Sequence, residues 1–247
     1  LMRDSRLPAL VELAGVDAPA ATLTRFFIGG QPERASALDA ALPTLGAAGL
    51  ETLGLAATID EDEAASALVM PRPCSKSAPK RERAQTGEGE EASFPTAPAL
   101  PTMRDPDEEP EPEVVVDPWM RALYDLRPHA AALPGGEREW WVTSDLGEGQ
   151  TGKPLADHHV MGIGGATRTL LEMTVRDQVD SALDVGCGCG IQALYLATHA
   201  RRVVATDLSP RACALTQFNA ALNETKIDVR EGSLFEPVEG ETFDLIV

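Results

Sequence analysis

Basic residues are scarce in this sequence of 247 residues, with 21 Lys and Arg against 39 Asp and Glu and a formal net charge of −18. A chain with this balance repels phosphate backbones, so a nucleic acid could bind only through a local basic patch. Long apolar runs are also missing: there is no stretch of about 18 apolar residues and no N-terminal signal. We therefore expect a cytoplasmic protein without a membrane partner.

Cysteines are few: Cys74, Cys187, Cys189 and Cys213. One lies in a polar, proline-rich tract and two share one glycine bend, which is neither a disulfide framework nor the paired spacing of a zinc site. We therefore expect a reducing compartment and no metal. A structural role for Cys187 and Cys189 is favoured over a redox or metal role, because a tight bend accepts only small residues.

The first 70 residues are expected to form a small helical module. From Arg6 to about Ala57 the apolar residues recur at helical spacing between glycine and proline turn signals, which predicts three or four short helices. Residues 71–113 then combine prolines, a short basic cluster and an acidic end with almost nothing to bury. Such a segment cannot offset its ordering entropy, so we expect a disordered insert.

Order is expected to resume at Val114 and to complete the N-terminal module over residues 114–146. "WMRALYDLRPH" alternates apolar and polar residues, breaks at Pro134-Gly-Gly136 and resumes as "EWWVTSDL", which predicts a β-hairpin around a long loop. Helices followed by a hairpin suggest a winged-helix-like module. A packing and substrate-gating appendage is favoured over nucleic-acid or partner recognition, because fold alone does not define function.

Two groups of side chains in this part of the chain admit a functional interpretation. Trp119, Trp140 and Trp141 could stack nucleic-acid bases, but hairpin aromatics more often belong to a core, and we favour the core. His158 and His159 could act as ligands or bases, and a solvated linker is the preferred interpretation.

From His158 onward the pattern becomes α/β, and we assign residues 150–247 to one domain. Thr167 is a candidate N-cap for a first helix. Four apolar strands, "SALDVG", "RVVATD", "KIDVREG" and "TFDLIV", follow, with helices from Gly190 to about His199 and from Pro210 to about Asn223. Strands that alternate with helices predict a parallel sheet covered on both faces, and the chain stops on its fourth strand.

The stretch "ALDVGCGCGIQALYLA" places three glycines at the end of the first strand. Glycine there allows positive φ angles and close approach of a ligand. Asp207 ends the second strand 23 residues after Asp184, near the interval of about 20 at which an acid reaches a ribose hydroxyl in nucleotide-binding units. The spacing is G-x-G-x-G rather than G-x-G-x-x-G, and an acid beside the bend repels a diphosphate. A nicotinamide-dependent dehydrogenase is therefore disfavoured.

The motif "LDVGCGCG" resembles the first motif of class I S-adenosylmethionine-dependent methyltransferases, whose cofactor carries a sulfonium and an amino group but no phosphate. "DLSPRACALTQFNAALN" and "EGSLFEPVEGETFDLIV" resemble the small-domain type, which modifies ribosomal RNA guanines, tRNA adenines or the glutamine of release factors. The resemblance covers about residues 155 to 247. It implies S-adenosylmethionine as cofactor and a Rossmann-like α/β sheet, truncated here after the fourth strand.

The resemblance also implies nine cofactor-binding residues, which are Asp184, Gly186, Cys187, Gly188, Gly190, Asp207, Leu208, Ser233 and Leu234. The glycines of the bend line the methionine and ribose portions, with Asp184 near the amino group. Asp207 accepts from the ribose hydroxyls and Leu208 packs on the adenine. Ser233 and Leu234 flank its other side, and Ser233 stands where many members have Asp.

The catalytic residues of the resembled family form an Asn-Pro-Pro-aromatic tetrapeptide directly after the fourth strand, which here would follow Val247. The catalytic residues are thus unknown, and we expect this chain alone to be inactive. The favoured function is N-methylation of a base in ribosomal or transfer RNA, with Arg25, Arg121 and Arg127 forming the required basic patch. The alternatives are a release-factor glutamine methyltransferase and a non-catalytic, cofactor-sensing winged-helix regulator.

Overall fold

The N-terminal part of the molecule combines short helices with a small antiparallel sheet. The computed structural model describes residues 7–68 and 116–247, and the disorder predicted for 71–113 lies outside the described residues. The helices are α1 (Leu7–Leu13), α2 (Pro19–Leu23), a π-helical turn (Thr24–Ile28), α3 (Ala35–Ala41), α4 (Gly46–Thr52) and α5 (Glu61–Leu68). The strands are β1 (Glu33–Arg34), β2 (Ala56–Ile59) and β3 (Trp119–Ala122), in the order β1-β3-β2.

Four side chains at most 2 % exposed, those of Phe26, Leu38, Leu50 and Met120, hold the helices against this sheet. The strands β1 and β2 were not predicted, because two and four residues are too few to show an alternating pattern. Strand β3 begins within the predicted hairpin but pairs antiparallel with β1 and β2. The winged-helix-like character of this module stays a prediction.

A β-hairpin follows, formed by β4 (Tyr124–Leu133) and β5 (Gly136–Asp145). The register runs from Tyr124 opposite Asp145 to Leu133 opposite Gly136, so two residues connect the strands, and the prediction of a long loop was wrong. The first predicted strand is also divided at Leu123, because β3 pairs within the N-terminal sheet and β4 pairs with β5.

The C-terminal part is an α/β sheet. It is preceded by α6 (Glu148–Thr151) and α7 (Gly165–Met173) and comprises β6 (Val179–Val185), α8 (Ile191–Leu196), β7 (Ala200–Asp207), α9 (Pro210–Leu222), β8 (Asp228–Glu231), a 3₁₀ turn (Glu236–Val238) and β9 (Leu245–Ile246). All pairings are parallel and the order is β8-β7-β6-β9. The predicted Rossmann-like α/β class is confirmed. Thr167 is not an N-cap, since α7 begins at Gly165 with Gly164 in the cap position.

The strand order determines where a ligand can bind. From β6 the chain proceeds to β7 and β8 on one side, and β9 then returns to the other side of β6. Open α/β sheets bind ligands outside the carboxyl ends of the strands at such a reversal. The residues after β6 and β7 therefore lie at the expected position of a site.

The hairpin packs directly on the α/β sheet's helices. Trp140 and Val142 of β5 share a buried cluster with Leu194, Tyr195 and Leu215 of α8 and α9. Everything described in residues 7–68 and from Asp117 onward belongs to one compact unit. None of the helices described in these ranges has the length and apolarity needed to cross a bilayer.

Candidate cofactor site

The glycine bend after β6 forms the floor of a crevice. Gly186, Gly188 and Gly190 all have positive φ angles, of 79°, 54° and 81°. A Cβ built on Gly186 or Gly188 meets no atom within 4 Å, whereas one on Gly190 comes 2.7 Å from the Thr216 side chain. The first two glycines thus leave space for a ligand, and the third allows α9 to pack against the bend.

Asp207 joins the bend to the neighbouring strand. Its Oδ2 accepts a hydrogen bond of 2.9 Å from the backbone N–H of Gly188, and its Oδ1 accepts one of 2.8 Å from that of Ser209. A carboxylate has about four lone-pair positions, so both oxygens retain capacity to accept from a ligand. The carboxylate is therefore oriented by the protein and still available to ribose hydroxyls.

Asp184 lies behind the bend and is 3 % exposed. Its Oδ2 accepts a hydrogen bond of 3.0 Å from the backbone N–H of Ala193, in the first turn of α8. Burial raises the pKa of Asp184 to about 7 in spite of this bond, and the charge of Asp207 acts in the same direction as burial. A cation in the crevice would favour the ionised form of this carboxyl.

The crevice has a volume of about 440 Å³, within the range of small-molecule sites. Five of the predicted cofactor residues line it: Asp184, Gly186, Cys187, Gly188 and Asp207. Among its lining residues, all of which are described, there is no Lys or Arg. An anionic crevice of this kind suits a ligand with a positive charge better than a dinucleotide with a diphosphate.

The other four predicted residues do not line the crevice. Gly190 packs against Thr216, while Leu208 and Leu234 are 72 % and 66 % exposed. Two hydrogen bonds nevertheless hold the loop that contains Ser233 at the end of β7, from Gly232 N to Asp207 O (2.9 Å) and from Thr206 Oγ1 to Leu234 O (3.3 Å). Adenine contacts of Leu208, Ser233 and Leu234 stay predictions.

The cysteines of the bend are buried thiols. Burial raises the pKa of Cys187 to about 12 and also raises that of Cys189. A thiol with a raised pKa is a poor nucleophile and a poor metal ligand at neutral pH. In the part of the chain that the structure describes, no group of three His, Cys, Asp or Glu residues is arranged to hold a metal.

One wall of the crevice was not predicted from the sequence. Residues 157–162 line it, and His159 is only 11 % exposed, so the prediction of a solvated linker was wrong for this residue. Val160 donates its N–H to Asp145 Oδ2 at 2.8 Å, and Arg211 Nε lies 3.0 Å from the same oxygen. No periodic pattern marks this wall, because its conformation depends on partners from the hairpin and from α9.

Ser209 also lines the crevice and was not predicted. Its side chain caps α9 by accepting from Ala212 N at 3.3 Å. The Ser-Pro pair at the helix start was the available signal for this role.

The predicted basic patch is absent from the described residues, and so is the aromatic platform, which was the less favoured interpretation of the tryptophans. Arg25 pairs with Glu33 at 2.6 Å, Arg121 with Glu63 at 2.6 Å, and Arg127 with Asp125. Each carboxylate neutralises the charge that a phosphate would need. The three tryptophans likewise lie in separate environments.

Of these tryptophans, Trp140 is 1 % exposed in the core, as predicted, whereas Trp141 is 48 % exposed. Trp119 lies under the guanidinium of Arg34, whose Cζ atom is 4.1 Å from the centroid of the tryptophan ring. Successive residues of one strand face opposite sides, so Trp140 and Trp141 cannot share a stacking surface.

Comparison with known proteins agrees with this geometry. Residues 161–247 match the family model of the Methyltransferase small domain, and residues 1–67 match a domain of unknown function (DUF7059). The strand order is that of Rossmann-like α/β folds, and the glycine bend follows its first strand, as in the resembled methyltransferases. The match over residues 161–247 agrees with the sequence resemblance to small-domain methyltransferases.

Curated relatives include two release factor glutamine methyltransferases. The one from Deinococcus radiodurans is 44 % identical over 55 % of this chain and 49 % of its own length. The one from Geobacter sulfurreducens is 42 % identical over 33 % of this chain and 30 % of its own length. A ribosomal protein L11 methyltransferase of Pelotomaculum thermopropionicum is 43 % identical over 32 % and 26 %. The chain thus spans about half or less of the length of these relatives.

Among solved structures, a ribosomal protein L11 methylase from Lactobacillus delbrueckii subsp. bulgaricus matches with 34 % identity and a TM-score of 0.30. The match covers 34 % of this chain and 46 % of that protein. The fold assignment depends on the strand order and on the match to the Methyltransferase small domain.

Proposed function

We propose that this protein is an S-adenosylmethionine-dependent N-methyltransferase that modifies a protein, with the glutamine amide of a release factor as the first candidate acceptor. The observation that supports this most directly is the anionic, glycine-floored crevice at the strand-order reversal. Apart from residues 157–160, its lining lies within the residues that match the Methyltransferase small domain.

The crevice residues fit this cofactor in three respects. The open space beside Gly186 and Gly188 allows close approach of the backbone to the methionine and ribose portions. The carboxylate of Asp207 is oriented to accept from the ribose hydroxyls. The carboxylates of Asp157 and Asp207 favour a ligand that carries a sulfonium and an amino group, and such a cation in turn favours the ionised form of Asp184.

The chemistry needs no protein nucleophile. S-adenosylmethionine, when bound, would supply a methyl group on a positively charged sulfur. The acceptor nitrogen would form the new N–C bond as the S–C bond breaks, S-adenosylhomocysteine would leave, and the nitrogen's proton would pass to solvent. The protein contributes orientation and exclusion of water, and alignment of the two reactants accounts for most of the acceleration. Asp207 and the glycine bend would hold the cofactor during this step.

A protein acceptor is preferred over RNA for two reasons. The relatives named above carry the names of protein methyltransferases, and they give the RNA-base prediction no support. In addition, the guanidinium groups of Arg25, Arg121 and Arg127 are all paired with carboxylates. Binding of structured RNA would require these pairs to break.

The cofactor is tested by calorimetric titration of the chain with S-adenosylhomocysteine and, separately, with NAD. We expect the first ligand to bind and the second not to bind, because the crevice is lined by three carboxyl residues, Asp157, Asp184 and Asp207, and by no Lys or Arg. Binding of NAD, or no binding of S-adenosylhomocysteine, contradicts the proposed cofactor.

The acceptor is tested with the full-length gene product, radiolabelled S-adenosylmethionine and three substrates: a release factor from the same organism, that factor with its acceptor glutamine replaced by alanine, and total RNA. We expect label only in the unmodified release factor. Radiolabel in RNA would contradict the protein acceptor and support methylation of an RNA base. Cofactor binding without label in either class favours the cofactor-sensing alternative.

A further inference from the structure

Two polar side chains of α9 contact the glycine bend from the side opposite the crevice. Thr216 and Asn219 are both 0 % exposed. The hydroxyl of Thr216 donates to the carbonyl of Gly188 at 3.0 Å, and Nδ2 of Asn219 donates to the carbonyl of Cys189 at 2.8 Å. Two successive peptide groups of the bend are thus held by one helix.

Asn219 is also bonded to the hairpin. Its Nδ2 donates to the carbonyl of Thr143 and its Oδ1 accepts from the N–H of Thr143, both at 2.8 Å. An asparagine amide has two N–H donors, and Asn219 uses both of them on carbonyls. This one side chain therefore links β5 to the cofactor bend.

Asn223 provides a natural comparison one turn further along α9. Its side chain bonds the backbone of Trp141 in the same way, with Oδ1 accepting and Nδ2 donating at 2.8 Å. Its recorded hydrogen bonds otherwise reach Asn219 O and Thr225, and none of them reaches residues 186–190. Asn223 thus docks the hairpin without touching the bend.

These contacts restrict a backbone that is intrinsically loose. Glycine loses more conformational freedom on folding than any other residue, and three of the five residues from Gly186 to Gly190 are glycines. Because a peptide group is planar, holding its carbonyl also fixes the direction of its N–H. A bend ordered before the ligand arrives has less entropy to lose on binding.

We propose that Thr216 and Asn219 are positioning residues that hold the bend in the conformation that binds the cofactor. Because Asn219 also bonds β5, the conformational order of the bend depends on the docking of this hairpin strand. The inference rests on the proposed function for the identity of the ligand. It assigns the hairpin a role in cofactor affinity, beyond packing.

A purely structural role must be separated from a positioning role. The methyl group of Thr216 packs against Gly190, and its hydroxyl bonds the bend. Thr216→Val keeps the volume and removes the hydroxyl, whereas Thr216→Ser keeps the hydroxyl and removes the methyl. Asn219→Asp removes both donors, and Asn223→Asp makes the matched change at a residue that does not touch the bend.

The experiment measures the affinity for S-adenosylhomocysteine by calorimetry, at a temperature where denaturation curves show every variant folded. We expect Thr216→Val and Asn219→Asp to weaken binding about threefold to tenfold, the range that the loss of one buried hydrogen bond allows. Thr216→Ser and Asn223→Asp should stay within about twofold of the wild type, even though both lower the unfolding midpoint.

Amide hydrogen exchange of the ligand-free protein, followed by NMR, tests the order of the bend without the cofactor. The N–H of Cys189, which shares a peptide group with the Gly188 carbonyl, and the N–H of Gly190, which donates to the carbonyl of Cys187, should exchange faster in Thr216→Val than in Thr216→Ser. If the wild type binds no S-adenosylhomocysteine, the proposed function fails, but hydrogen exchange still shows whether Thr216 orders the bend. Equal exchange in the two Thr216 variants, or equal affinity where the ligand binds, overturns the inference.

Discussion

The carboxylate of Asp207 lies 2.9 Å from the backbone nitrogen of Gly188, so a hydrogen bond connects the ends of two neighbouring parallel strands across the crevice. The bend thereby has a partner on its ligand side, and α9 holds it from behind. The carboxylate of Asp207 therefore lies next to the part of the bend where glycines leave space for a ligand.

Replacement of Asp207 by alanine should weaken the binding of S-adenosylhomocysteine about tenfold to a hundredfold. The carboxylate makes charge-assisted hydrogen bonds to the ribose in the proposed mode, and these contribute roughly 1.5 to 3 kcal/mol. Asp180→Ala is the control, since Asp180 is 81 % exposed and pairs with Arg201. Calorimetry that finds equal affinities for both variants would remove Asp207 from the site.

Replacing Gly190 or Gly186 of the bend by alanine should affect stability and cofactor affinity to different extents. Gly190→Ala should lower the free energy of unfolding by about 2 to 5 kcal/mol, because positive φ and contact with Thr216 act together. Gly186→Ala should lower it by only about 1 to 2 kcal/mol but abolish cofactor affinity, since its methyl group enters the crevice.

Urea denaturation and ligand titration measure the two effects separately. Gly54→Ala is the control, because Gly54 has a φ of 68° and open space around its Cβ position. A stability loss for Gly190→Ala no larger than that for Gly54→Ala would contradict the contact with Thr216.

The stability of the protein should depend on the titration of Asp184. Its pKa rises from 3.8 in the unfolded chain to about 7 in the folded one, so the folded state holds the extra proton between these values. Stability from this group is complete below pH 4 and is lost as the pH rises through 7, by on the order of 4 kcal/mol.

The measurement compares the unfolding free energies of the wild type and of Asp184→Asn at pH 4, 6 and 8. The asparagine does not titrate, so the wild type should become less stable relative to the variant as the pH rises. Other carboxyls titrate in both proteins and cancel in the difference. A difference that stays constant with pH would show that Asp184 is ionised throughout.

The pair of Asp145 and Arg211 should stabilise the fold and the wall of the crevice. Asp145 is 11 % exposed and also binds Val160, so Asp145→Ala should cost roughly 2 kcal/mol. A double-mutant cycle with Arg211→Ala gives the coupling energy of the pair. The pair of Arg34 and Glu61 is exposed and should show less than about 1 kcal/mol in the same cycle.

Much of the α/β part could be predicted from the sequence because its signals are local. Each strand is a short apolar run followed by a helical pattern, and the ends of β6 and β7 carry the glycines and Asp207. At Gly186 and Gly188 the backbone conformation itself demands glycine, so residue type and structure are tied at single positions. The resemblance to class I methyltransferases came from the same residues.

The wall formed by residues 157–162 and the pairing of the arginines could not be predicted from the sequence. Both depend on residues that are far away along the chain. Arg211 meets Asp145 from 66 positions away, and Arg121 meets Glu63 from 58 positions away. No periodicity predicts such pairs, because they form only when separate elements pack. The expected basic patch therefore became a set of neutral pairs.

The alternation of strands and helices, the glycine bend and its acid follow from the order of residues, because they depend on propensity and backbone freedom at each position. Three other features arise only when the elements pack: β3 pairs within the N-terminal sheet, Gly190 faces Thr216, and Asn219 joins the bend to β5. Each of these outcomes is a contact between segments far apart in the chain, and such contacts exist only after the elements have packed.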